Sequence, residues 1–463
     1  MSSIHRTWQT PDVFAGDIVP STDALARSES AAQSRTAPDA QSYLIFHYVL
    51  VVYVFFLVSR IPDLLPWLRV GYLLLPIMLI GLVMTKRVRI LLDVRTGRWL
   101  IGFAVWVAIC VPFSFWPGGS FQTFQKTLQS LFLVAFLLAF VRSVRDVKRV
   151  LTVVGLATGA IAIFSFISSA EIGNRQGVSG SESVSDPNYF ALFLLLGLPF
   201  LCLTVSQSRG WIRICALALI PISLAGIARS GSRSGLIAFT AGIVMMLVYG
   251  SAKQRAIILW ACLVGIILAA FFLPQRLKTR FTDWLSPAGF NTLLTGQLSA
   301  DHGLSVAEGS TESRMYLLRR SLVMTAKHPL FGVGPGQFKD AEAVDAKAHG
   351  LFPTWHEAHN LYTQTSSEVG LPGFILYAGA LFGSYRGLSG IRRRGPTRQI
   401  RQMALFLQTA YFMLMVGALF LSLGYGGLPV LLMGLSTTFK LAVRRYRREN
   451  HTQILRPEMS VAV

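Results

Sequence analysis

One pattern recurs along the chain: an apolar block near twenty residues long, then a short polar loop, then another block. The hydrocarbon core of a bilayer is about 30 Å thick and takes about 20 residues of helix to cross. Within that core every backbone N–H and C=O needs a partner in its own segment, so such blocks cross as helices. The composition agrees. With 52% hydrophobic and only 14% charged residues, and a mean hydropathy of +0.52, a chain of 463 residues has too little polar surface for a soluble domain. The blocks predict an all-α polytopic membrane protein with about twelve transmembrane helices. They cover 43–59, 67–84, 99–115, 127–141, 150–169, 189–206, 212–228, 235–250, 256–272, 371–386, 402–421 and 428–443.

The net charge of +21 does not point to nucleic acid, because the basic residues sit in loops that flank the blocks. Lys86, Arg87, Arg89, Arg95 and Arg98 fill the second loop, and Arg142, Arg145, Lys148 and Arg149 the fourth. Arg386, Arg392, Arg393, Arg394, Arg398 and Arg401 fill the tenth, and Arg444, Arg445, Arg447 and Arg448 follow the last block. Lys and Arg in short loops mark the cytoplasmic side, so even loops and both termini are expected there and odd loops outside. Residues 1–42, rich in Ser, Ala and Asp without periodicity, read as a disordered cytoplasmic tail with no signal-peptide core, and 444–463 as a basic cytoplasmic tail. Cys110, Cys202, Cys215 and Cys262 all lie inside apolar blocks, without metal-ligand spacing or a disulfide framework.

One outward loop is long. Residues 273–370 separate helices 1–9 (43–272) from helices 10–12 (371–443) and hold His302, His328, His349, His356 and His359. A loop of this length is a functional signal. "STESRMYLLRRSLVMTAKHP" reads as an amphipathic helix from Thr311, with Met315, Leu318, Leu322 and Thr325 on its apolar face and Pro329 as its stop. "FGVGPGQF" follows as a Gly/Pro turn cluster. In "HNLYTQTSSEVGLPG", Asn360 is an N-cap, Gly370 a C-terminal cap and Pro372 a stop, which sets His359 at a helix N-terminus. There the dipole disfavours imidazolium, leaving a neutral ring that can accept a proton.

The expected topology brings three polar motifs to one side of the membrane: "GNRQGVSGSESVSDPNYFALF" with Arg175, Asp186 and Asn188; "ARSGSRSGLIAF" with Arg229 and Arg233; and the long loop with Arg314. Arg233 lies among Ser and Gly, where backbone can approach a ligand and a guanidinium can hold phosphate oxygens by two parallel bonds. Arg314 opposes its helix dipole, a cost that a bound anion offsets. Each residue also has a plainer reading, which on its own is the commoner one. Arg233 could snorkel to the interface, Arg314 could share a solvated face with Arg319 and Arg320, Asp186-Pro-Asn188 could only start a helix, and His359 could be satisfied by backbone. A metal site is not expected, since His356 and His359 are one residue too close for the HExxH helix and no third Cys or His cluster exists.

Taken together the motifs resemble the O-antigen ligase and O-antigen polymerase superfamily of bacterial membrane glycosyltransferases. His359-Asn360, nine residues and then Gly370-Leu-Pro-Gly373 is similar to that family's His-Asn-(nine)-Gly-x-x-Gly pattern. "ESRMYLLRRSLVMTAKHPLFGVGPGQF" is similar to its loop pattern, and "GSRSGLIAF" and "DPNYFA" to its shorter blocks, over roughly 170–440 and in family order. The resemblance implies a GT-C-like fold with a large periplasmic, catalytic loop between helices 9 and 10, in the bacterial cytoplasmic (inner) membrane. It implies a polyprenyl diphosphate-linked glycan as donor, lipid A-core or another glycan as acceptor, the lipid bilayer as setting, and no cofactor. By motif position Arg233 and Arg314 would bind the diphosphate and His359 would act as the catalytic base, with Asn360, His356, Asp186, Asn188 and Arg175 supporting. Attack by a hydroxyl on the anomeric carbon would invert it and release the polyprenyl diphosphate, with two arginines in place of a metal. Repeat-unit polymerases and enzymes that glycosylate protein hydroxyls share these motifs, so those acceptors stay open. A transporter or flippase would need ionisable residues at mid-membrane, and the blocks hold essentially none.

Overall fold

A computed structural model describes residues 43–64, 70–172, 175–178, 185–272, 275, 278, 311–350 and 353–459. The expected tail 1–42 and most of 273–310, including His302, lie outside them. The described residues are overwhelmingly helical, and every predicted block falls on a helix. The helices are α1 (Tyr43–Ser59), α2 (Ile61–Leu64), α3 (Val70–Met84), α4 (Arg95–Cys110), α5 (Pro117–Phe140), α6 (Val144–Ile167), α7 (Pro187–Gln207), α8 (Trp211–Ser230), α9 (Arg233–Tyr249) and α10 (Ala252–Phe272). Within the long loop lie α11 (Thr311–Lys327) and α12 (Phe338–Ala348); α13 (Leu361–Arg394) begins in it, and α14 (Arg398–Gly417) and α15 (Gly427–Met459) follow. Five of the described helices are long and apolar enough to cross a membrane: α4 with the turn after it, α5, α6, α7 and α8.

Burial sorts them. α7 is at the centre, with 78% of its apolar window buried, whereas α8 has 17% and faces outward. The outward side chains of α8, Ile212, Ile214 and Leu217 among them, are exposed and apolar, as lipid contact requires. α6 and α7 pack closely because a side chain at Gly197 would overlap the Thr158 hydroxyl.

The bundle has two chemically distinct ends. At one, Arg445 donates to the carbonyl of Arg142 at 3.3 Å, Lys148 to that of Gln207 at 2.6 Å, and Gln207 to that of Gln399 at 3.2 Å. These contacts gather the cationic loops onto one face, the pattern that loop charge predicts. At the other end the starts of α7 and α13 meet the loop 418–426, and the start of α9 meets that of α7.

Three expectations are corrected. First, the fold is not purely α: Ser169–Ile172 and Arg175–Val178 pair antiparallel as strands β1 and β2. Buried Gln176 donates to the Ser165 carbonyl and ties this hairpin to α6, a long-range anchor that local pattern does not reveal. Second, the buried face of α11 carries Leu317, Ser321 and Met324, while Leu322 is 53% exposed. Polar pairing turns the helix: Tyr316 donates to Glu342 at 2.8 Å, and Arg320 pairs with Glu342 and Asp345 on α12. Third, Pro372 opens a helix instead of only following one: the short helix ends at Gly370 as expected, but a second begins directly after it. α13 runs from Leu361 to Arg394 with a break at Gly370 (φ 68°, ψ 179°), and Pro372 begins the second half, where its missing N–H costs nothing.

That break is held from outside. Val333 N–H donates to the Ser367 carbonyl (2.9 Å) and Gly334 N–H to that of Glu368 (3.0 Å), while the Leu371 N–H reaches the Pro329 carbonyl (2.8 Å). Trp106 of α4 donates to the Val369 carbonyl at 2.8 Å. Gly332, Gly334 and Gly336 all have positive φ, so the turn that makes these contacts needs its glycines. A side chain at Gly370 would sit 2.0 Å from the Leu330 carbonyl. We expect Gly370→Ala to destabilise the protein by at least about 1 kcal/mol. Thermal unfolding in detergent followed by size exclusion would measure it; an unchanged midpoint would mean that the break is not required.

Candidate functional site

The His359 end is assembled by caps and long-range hydrogen bonds. Asp186 caps α7, its Oδ1 accepting from the N–H groups of Asn188 (2.7 Å) and Tyr189 (3.1 Å). Ser232 caps α9, accepting from the Gly235 N–H at 3.0 Å, and it donates to the Asn188 side-chain oxygen at 2.9 Å. Asn360 caps α13, accepting from Tyr362 (2.9 Å) and Thr363 (3.2 Å), and its amide donates to the Leu419 carbonyl at 3.1 Å. Three helix N-termini therefore meet at one place, each contributing the partial positive charge that attracts anions.

Two residues that sequence reasoning missed connect them. Tyr189 donates to the Ser422 carbonyl at 2.9 Å, and its hydroxyl lies 3.4 Å from a Glu357 carboxylate oxygen. The Ser422 hydroxyl accepts the His359 N–H at 2.9 Å. His359 has φ 47°, a left-handed backbone that a non-glycine residue holds only under constraint. Ser422 supplies part of that constraint from 63 residues away, so no local spacing could reveal it.

The predicted site residues divide by placement. The charges of Arg314, Asp186 and His356 all act on the His359 ring, and the His356 and His359 rings are 6.3 Å apart. Arg233 is the first residue of α9, directly after the Ser232 that bonds Asn188. It is half-buried, and its Nε is buried without a hydrogen-bond partner among the described residues. The His359 Nδ1 is in the same condition. Arg175 stands in β2, opposite Ile172. Two neighbouring arginines have other work: Arg229 lies over the Phe166 ring at 5.2 Å, and Arg320 is ion-paired.

Burial first, and the Arg314 charge next, lower the pKa of His359 to about 4, so the ring is neutral at physiological pH. A neutral imidazole was the expectation, but its principal cause is desolvation, with Arg314 next, rather than the α13 dipole. Among the described residues no group of three His, Cys, Asp or Glu side chains could hold a metal ion.

Glu368 is a third residue that the sequence concealed. It is 3% exposed, and its carboxyl accepts from the N–H of Gly336 at 3.0 Å and of Phe338 at 3.4 Å. Burial raises it to about 8. The folded protein therefore keeps a proton there that the unfolded chain loses above about 4.5, so this contribution to stability is complete at low pH and is lost as pH rises toward 8. Glu368→Gln should flatten the decline in melting temperature between pH 5 and 8; an unchanged slope in that variant would assign the decline elsewhere. Ser422→Ala removes the acceptor of the His359 N–H, at a cost of about 1–3 kcal/mol local to that loop. Hydrogen exchange should quicken over 353–360 while α7 and α14 stay protected, and uniform protection would refute the role of Ser422.

A family model described as O-antigen ligase matches residues 217–378, about a third of the chain, from α8 into α13 past its break at Gly370. The matched stretch contains Arg233, Arg314 and His359, and Asp186 and Ser422 lie outside it. No curated protein matches the chain.

Proposed function

We propose, from the O-antigen ligase character of residues 217–378, that this membrane glycosyltransferase moves a glycan from a polyprenyl diphosphate to an acceptor hydroxyl such as that of lipid A-core. The observation that carries this reading is the pair of buried, unpartnered polar atoms, Arg233 Nε and His359 Nδ1, at the end where three helices begin. A buried polar atom without a partner is costly, and a ligand that supplies the partner removes that cost.

In this mechanism Arg233 and Arg314 bind the diphosphate. The leaving group departs with its negative charge spread over phosphate oxygens, so cationic donors serve it better than a proton does. An apolar, membrane-embedded setting strengthens both contacts. His359 takes the proton from the acceptor hydroxyl as that oxygen attacks the anomeric carbon. The C–O bond to the diphosphate breaks on the opposite face, so the configuration inverts, and the proton stays on the imidazole. Asp186 and Asn360 hold the helix starts, Asn188 holds Ser232 beside Arg233, and His356 and Arg175 take supporting places. The reaction needs no metal, and the active site faces the periplasmic side of the cytoplasmic membrane. Transfer into longer lipid-linked chains, the polymerase outcome, uses the same residues.

With labelled lipid-linked glycan in nanodiscs, Arg233→Ala, Arg314→Ala and His359→Ala should each slow transfer by about a hundredfold or more. Full turnover by any correctly inserted variant would overturn that residue's role. Label recovered in lipid A-core, in longer lipid-linked chains or in protein identifies the acceptor. The acid limb of kcat/KM should lie well below the usual histidine range, toward pH 4, because the free site must keep His359 neutral. The limb of kcat should lie higher, since bound diphosphate favours imidazolium. An acid limb of kcat/KM at 6.5 or above would exclude this histidine as the base.

A further inference from the structure

At the opposite end of α13 from His359, some 25 residues or about 40 Å along the helix, lies a groove that the proposed reaction does not use. Its floor is a row of glycines on α13. The Trp99 ring lies over Gly379, the Lys440 chain lies over Gly387 with its Nζ about 4 Å from where a side chain would begin, and Gly383 between them faces open space. Arg95, Arg98 and Trp99 line an open cleft of about 280 Å³ at this place. Arg95, Arg98, Lys440 and Arg444 are all exposed, and among the described residues none of them forms an ion pair. Lys440 instead feels the like charges of Arg444 and Arg95.

Loop charge alone explains why cations lie at this end, but not why unpaired ones converge on a cleft whose floor is open at Gly383. Arg392 on the same helix shows the contrast, since it stacks on Tyr249 at 3.6 Å and bonds Gln408. Mutually repelling cations need a counter-charge, and one attached to an apolar tail would fill the floor as well. Trp99 is the residue type that lies at headgroup level.

We propose that the groove between α4, α13 and α15 binds the phosphate headgroup of an anionic phospholipid, with its apolar tail over the open floor at Gly383, between Trp99 and Lys440. The shared chemistry is a phosphate monoanion; the lipid source is favoured because the floor is apolar and continuous with the membrane-facing side of α13, where Ile375 and Phe382 are exposed.

Native mass spectrometry of the full-length protein tests this, with phosphatidylglycerol, phosphatidylcholine and inorganic phosphate as probes. Phosphatidylglycerol should bind at least ten-fold more tightly than phosphatidylcholine, and less tightly as salt rises. Each cation contributes roughly five-fold, so Arg98→Gln/Lys440→Gln should lose at least ten-fold, and Arg393→Gln/Arg398→Gln, at the same end but outside the groove, less than two-fold. Gly383→Leu leaves every charge in place and suits a helix, so it should fold and still weaken phosphatidylglycerol binding by filling the floor. Equal retention of both lipids, or unchanged binding in the double variant and in Gly383→Leu, would overturn the proposal. Inorganic phosphate that binds as tightly as the lipid, with Gly383→Leu silent, would refute the lipid and leave a soluble-anion site.

Discussion

The break in α13 at Gly370 is the constraint on which the rest of the architecture hangs. A helix interrupted inside a membrane bundle frees backbone groups where little water can satisfy them, and each costs free energy until it finds a partner. Here the partners come from two directions. The turn after α11 supplies the N–H groups of Val333 and Gly334 and the carbonyl of Pro329, and α4 supplies the Trp106 indole. The interruption thus fastens the long loop to the bundle. It fixes α11, which carries Arg314, against the half-helix that follows His359, and Thr325 of α11 meets Ser366 of that half-helix at 2.9 Å. A continuous α13 would expose no carbonyls to this turn, and the loop would have nothing to dock on.

The same clamp explains the glycines of two separate motifs. In "FGVGPGQF" they give the positive φ values of the turn, and in "GLPG" the first of them gives the break that the turn grips. The motifs read separately in sequence and form one joint in space. Glu368 completes it from beneath, with its carboxyl on the N–H groups of Gly336 and Phe338 and the Tyr425 phenol beside it.

What the sequence made legible follows from the range of the forces involved. Apolar blocks, the Thr311 start of α11, the caps at Asp186 and Asn360 and the special backbone at Gly370 are local features, and each appears where expected. The buried face of α11 was illegible because Glu342 and Asp345, on another helix, decide it. Tyr189 and Ser422 were illegible because they act across 233 residues, and Glu368 because a polar residue inside a short helix gives no sign of complete burial. Arg229, Arg233, Arg314 and Arg320 were equivalent as letters. Packing marks two of them off, giving Arg229 an aromatic ring and Arg320 two carboxylates.

That separation bears on how a cationic site and a base can share so small a space. Among the charges acting on His359, Asp186 is the one carboxylate, and its oxygen is already engaged by two N–H groups of α7. The three helix N-termini favour anions, and burial with the Arg314 charge disfavours protonation of the imidazole. The field that would hold a diphosphate is therefore the field that keeps His359 ready to accept a proton. Moving His359 into water would weaken the second effect, and removing the Arg314 charge would weaken both. A half-buried histidine with a strained backbone, pinned by Ser422 and acted on by the Arg314 charge, is costly for folding and consistent with a reaction that needs charge binding and proton removal at once.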